Sequence, residues 1–74
     1  MNWLDVHDRA SLALFVRHLR RELNDPMALE KWENVELGGF LDALAAWAVD
    51  GDGPADANPW RHVAKALTAA SAYE

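Results

Sequence analysis

The stretch of this chain nearest to a chemical site is Asp50-Gly51-Asp52-Gly53, because carboxylates alternating with glycine are how a calcium-binding loop begins. Counting on from Asp50, the next ligand position falls on Pro54. The sixth position, where such a loop needs glycine, is Ala55, and the twelfth, where it needs glutamate, is Arg61. No coordination shell closes on those residues, so the stretch reads as an exposed turn. His7, His18 and His62 stand at spacings that match no zinc signature and read as surface side chains. The two serines, Ser11 and Ser71, lack the glycine-flanked elbow that exposes a nucleophile. Without cysteine the chain has no thiol nucleophile, thiolate metal site or disulfide, which fits a reducing compartment. Carboxylates are abundant, but a general acid needs a buried pocket to raise its pKa, and a chain this short encloses little. The expectation is a non-enzymatic protein with no catalytic residues, no metal and no cofactor.

Those side chains must be held by a small scaffold. Seventy-four residues allow one domain, residues 1–74, with a single small core in which four tryptophans are the first candidates for burial. The N-terminus has no basic region followed by an apolar run, and no segment approaches the roughly 20 apolar residues of a membrane span. A soluble, cytoplasmic protein is expected. Isoleucine is absent and threonine occurs once, whereas alanine and leucine make up nearly a third of the chain. That usage favours helix over strand.

Periodicity predicts an all-α, compact three-helix domain with a short N-terminal preamble around Trp3, Leu4 and Val6. In the first helix Leu12, Phe15, Val16, Leu19 and Leu23 share an arc while Arg17, Arg20 and Arg21 turn outward. Asp8 is its N-cap and Asn24-Asp25-Pro26 its end. The second helix runs from about Val35 to Val49, with Asn34 as N-cap and Leu37, Phe40, Leu41, Leu44, Trp47 and Ala48 on one face. Gly38 and Gly39 in its first turns imply either a frayed or 3₁₀ start, or a close approach by another backbone or a tryptophan ring. The opposite face carries Ala43, Ala46 and Val49 with only Asp42 and Asp50. So weakly polar a face is covered either by the chain itself or by an interface with another. Asn58-Pro59 starts the third helix as N-cap and first-turn proline, placing Trp60, Val63, Ala64, Leu67 and Ser71 inward and Arg61, Lys65 and Thr68 outward.

The formal charge of −5 is unevenly spread. Residues 1–23 carry +1, residues 24–58 carry −7 and residues 59–74 carry +1. A helix-turn-helix DNA reader would meet phosphate with like charge, so no nucleic-acid partner is expected. The acidic middle, with Glu33, Glu36, Asp42, Asp50, Asp52 and Asp56, is suited to a basic protein partner or serves only solubility.

Trp32-Glu33-Asn34, then Phe40-Leu41-Asp42-Ala43-Leu44 and Trp47, Asn58-Pro59-Trp60-Arg61 and the terminal Tyr73-Glu74 resemble a family of small uncharacterised bacterial proteins. The resemblance covers about residues 8–74. Glu36 departs from it, standing where a capping threonine or serine is expected. The resemblance implies no activity; members look like the short acidic products found beside toxin genes, which points by analogy to an immunity-type inhibitor. The alternative is a structural or adaptor module that self-associates into a homo-oligomer through the alanine-rich back of the second helix. Independently of the family, Trp32 is placed to clamp the start of the second helix, Trp60 to anchor the third, Tyr73 to close the bundle and Glu74 to meet an arginine of the first helix.

Overall fold

The computed structural model describes residues 1–50 and 54–72. Within them a 3₁₀ turn at Trp3–Asp5 precedes four helices: α1 (Arg9–Glu22), α2 (Pro26–Leu29), α3 (Leu37–Asp50) and α4 (Pro59–Ala72). The fold is all-α with a short N-terminal part, as expected. The single turn α2 was not foreseen. Asn24-Asp25-Pro26 does end α1, but the Asp25 carboxylate also accepts from Met27 N at 3.1 Å, and Pro26 supplies a first helical residue that needs no N–H partner.

The helix starts follow from local chemistry. Asp8 Oδ1 accepts from Ser11 N at 2.8 Å, while Ser11 Oγ accepts from the Asp8 and His7 N–H groups at 3.0 and 2.9 Å, a reciprocal capping box that explains the burial of Ser11. Asn58 Oδ1 accepts from Trp60 N at 3.0 Å and Arg61 N at 3.2 Å, and its Nδ2 donates to His7 O at 2.9 Å. One side chain thus caps α4 and fastens the N-terminal segment to it.

Helix α3 departs from expectation at its start. It begins at Leu37, its first helical bond running from Phe40 N to the Glu36 carbonyl at 2.9 Å, so Glu36 rather than Asn34 occupies the cap position. Gly38 and Gly39 lie inside a regular α-helix, not a frayed or 3₁₀ start. A Cβ at Gly38 would meet nothing within 4 Å, and one at Gly39 only Asn34 Oδ1 at 3.6 Å, so neither glycine admits a backbone or ring.

Helix α4 is the centre of the packing, touching the 3₁₀ turn, α1 and α3. The molecule measures 33 × 28 × 16 Å, a flattened slab. Val6, Phe15 and Ala64 form the buried core, with Trp3, Leu12, Leu19 and Trp60 packed round it. Trp3 therefore belongs to the core region, and Lys65 Nζ lies 5.6 Å from its ring centroid while the Arg9 guanidinium lies 5.2 Å from that of Trp60.

A slab covers each outer helix on one side only, which corrects several expected burials. Val16, Val63, Leu37, Leu41 and Ala48 are exposed, and Leu37 retains 73% of its surface. Ala43 is buried and Ala46 half-buried, so the alanine face of α3 is covered by the chain itself, while Val49 from that expected face stays 83% exposed. Phe40, Leu44 and Trp47 of the expected inward face are half-buried, so the covered side of α3 combines them with Ala43 and Ala46 and leaves Leu37, Leu41 and Ala48 outside. Arg17, Arg20 and Arg21 do point outward. Arg61, Lys65 and Thr68, expected outward, are half-buried.

Candidate functional site

The segment between α2 and α3 is bonded to the far end of the chain. The last carbonyls of a helix lack intrahelical donors, and here residues far along the chain supply them. Glu33 N and Asn34 N donate to Ser71 O at 2.8 and 3.1 Å, and Asn34 Nδ2 donates to Ala70 O at 3.0 Å. Asn34 thus stands two residues before the cap position of α3 and helps close the C-terminal end of α4. Trp32 stacks on Phe40 of the first turn of α3, with ring centroids 6.2 Å apart and planes at 26°, so it does clamp the start of that helix.

Held this way, Trp32 stands between two surface hollows. One, of about 240 Å³, is lined almost wholly by apolar groups, including Leu23, Trp32, Val35, Leu37 and Phe40, with Glu36 on its lining. The other, of about 260 Å³, has Trp3, Phe15 and Trp32 among its walls together with His18 and Glu22. Both are smaller than the roughly 300–1,000 Å³ of ordinary small-molecule sites.

The six carboxylates expected to form one partner surface are not brought together. Glu33 and Glu36, both exposed, flank the apolar hollow's segment, and Asp42 is exposed on α3. Asp50 is exposed at the far end of α3, about 21 Å along the axis from Glu36 at 1.5 Å per residue. Asp52 lies outside the described residues, as do Tyr73 and Glu74.

Asp56 is half-buried and already engaged. Its Oδ2 accepts from Arg61 Nε at 2.7 Å, its Oδ1 accepts from Arg61 Nη2 at 2.9 Å and from Asn58 N at 2.8 Å. Such a bidentate pair orders the approach to α4 instead of facing a partner. The Arg61 guanidinium, with the Asn58 N–H, lowers the Asp56 carboxyl from 3.8 to about 2. A carboxyl depressed by folding adds stability above its unfolded value, and that stability is lost as pH falls through the folded one. Wild type should therefore exceed Asp56→Asn in thermal midpoint at pH 6, the gap closing between about pH 4 and pH 2. A gap unchanged down to pH 2 would show that the ion pair does not set acid stability. His62, expected at the surface, is half-buried: its Nδ1 accepts from Asp56 N at 3.2 Å and its ring lies 6.0 Å from that of Trp47.

Sequence reading missed the apolar part of this region. Leu37 and Leu41 fit a helical arc, and an arc cannot say which of two apolar faces is covered. Glu22 was not singled out either; its only signal was a carboxylate one turn after His18 on the same helix.

Fold and site together define a small all-α domain whose central helix is closed by a segment from between two others. The chain belongs to a family of unknown function, DUF7660, which matches residues 8–74. No curated protein and no solved structure matches it. No helix among the described residues is long and apolar enough to cross a membrane.

Proposed function

We propose that this protein is a non-catalytic binding domain that docks a basic protein partner on the outer side of α3 and the segment before it. The observation that supports this is the mixture of exposed apolar side chains and carboxylates there: Val35, Leu37 and Leu41 interleave with Glu33, Glu36 and Asp42. Apolar contact supplies affinity, and flanking like charges select a partner of opposite sign and speed its encounter. Immunity-type inhibition of a basic bacterial toxin is the most specific form of this reading, and a cytoplasmic site of action goes with it.

Self-association is the second reading; the Ala43 and Ala46 back of α3 first expected to carry it is covered by the chain, and the stripe Leu37, Leu41, Ala45 and Ala48, all exposed along one side of α3, now favours it. Two copies would bring the same carboxylates together across that stripe, which is why the basic partner ranks first. The test is calorimetric titration with the basic product of an adjacent gene. Glu33→Lys with Glu36→Lys is expected to weaken binding at least about tenfold and to flatten its salt dependence. Unaltered affinity in the double variant would remove the acidic surface from the reading. A dimer in sedimentation, lost in Leu41→Asp, would replace it with the second.

A further inference from the structure

Of the two hollows beside Trp32, the one between α1 and the N-terminal turn carries a chemical contradiction. Glu22 Oε2 is buried with no hydrogen-bond partner among the described residues, although Glu22 lines an open hollow of about 260 Å³. A carboxylate oxygen shut off from water costs free energy unless a donor reaches it. The rings of Trp3, Phe15 and Trp32 line the same hollow, Trp3 with Lys65 Nζ already 5.6 Å from its centroid and Trp32 stacked on Phe40. Aromatic faces attract cations, so rings and carboxylate favour the same charge.

From this juxtaposition we propose that the hollow binds a guanidinium group, either on a small molecule or at the end of an arginine side chain. Guanidinium fits better than ammonium for two reasons. It is planar and weakly hydrated, so it stacks on indole at low desolvation cost. It also presents several N–H donors in one plane, one of which can meet the Glu22 carboxylate once rotation of that side chain turns the buried Oε2 toward the hollow, while others remain exposed. A quaternary ammonium would satisfy the rings but not the oxygen. The volume admits a group of a few heavy atoms and not a drug-sized ligand. Lys31, exposed and also on the lining, brings a like charge and weakens the site.

The hollow can be tested without any protein partner, so its outcome is separate from that of the docking face on α3. Butylguanidinium chloride is titrated into the full chain while the four indole N–H resonances are followed. Saturable shifts are expected at Trp3 and Trp32, with Trp47 as the internal control. Butylammonium should bind more weakly. Glu22→Gln should weaken butylguanidinium at least about tenfold, the size of one charge-assisted hydrogen bond. Lys31→Ala, at an exposed position that leaves the fold intact, should strengthen it several-fold. N-acetylarginine amide separates the two sources: binding equal to butylguanidinium assigns the hollow to a polypeptide side chain, and exclusion assigns it to a free small molecule. Non-saturable shifts, or one affinity shared by the parent chain, Glu22→Gln and Lys31→Ala, would overturn the proposal.

Discussion

Replacing Asn34 by aspartate should destabilise the protein by about 3 kcal/mol at neutral pH, more than any other single polar change outside the core. The Asn34 amide donates to the Ala70 carbonyl at 3.0 Å, at the negative end of α4. Asn34→Ala removes that donor and leaves a buried acceptor short of a partner, a loss of about 1–3 kcal/mol. Asn34→Asp goes further, because it sets a carboxylate against helix carbonyls and the helix dipole. The introduced carboxyl would titrate above its unfolded value in the folded state. Its destabilising effect therefore holds above that raised pKa and is relieved as pH falls through it. Urea unfolding at pH 7 and pH 4 gives the comparison. Equal losses for the alanine and aspartate variants at both values would show that the amide does not close the end of α4.

The second large effect is expected at Asn58. Asn58→Ala should cost about 2–3 kcal/mol, by losing the two N–H groups capped at the start of α4 and the donor to the His7 carbonyl. The two roles separate chemically. Asn58→Asp keeps an acceptor for Trp60 N and Arg61 N, and puts negative charge at the favourable end of the helix, but cannot donate to His7 O. It should recover more than half of the alanine loss. Its remaining deficit should show as faster amide exchange at Asp5 and Val6, whose N–H groups hold the 3₁₀ turn. If aspartate and alanine prove equally damaging, the contact to His7 outweighs the cap.

These two asparagines show which parts of the fold were legible in residue order. Asn58, like Asp8, acts on N–H groups two or three residues ahead, and a capping contact of that range is written in neighbouring residues. Asn34 stands before a helix in the same way and invited the same reading. Its amide donates 36 residues on, at the end of α4, and no local pattern carries that distance. Asp56 and Arg61 are five residues apart, close enough to suggest a pair, yet an acidic cluster drew Asp56 into a proposed surface that its bonds to Arg61 remove it from. Glu33, Glu36 and Asp42 remain exposed and keep their place in the partner face.

Composition and periodicity were enough for an all-α chain, for α1 and α4 with their caps, and for the outward arginines of α1, because each depends on interactions within a few residues. The covered side of α3 was a different matter. It takes Phe40, Leu44 and Trp47 from one expected arc and Ala43 from the other, and packing against α4 leaves Leu37 and Leu41 outside. That packing, together with the closure of α4 by residues 33 and 34, creates the face and the hollows beside Trp32. Long-range contact chose among local patterns that were equally good, since burial depends on what lies opposite and not on the order of residues along one helix.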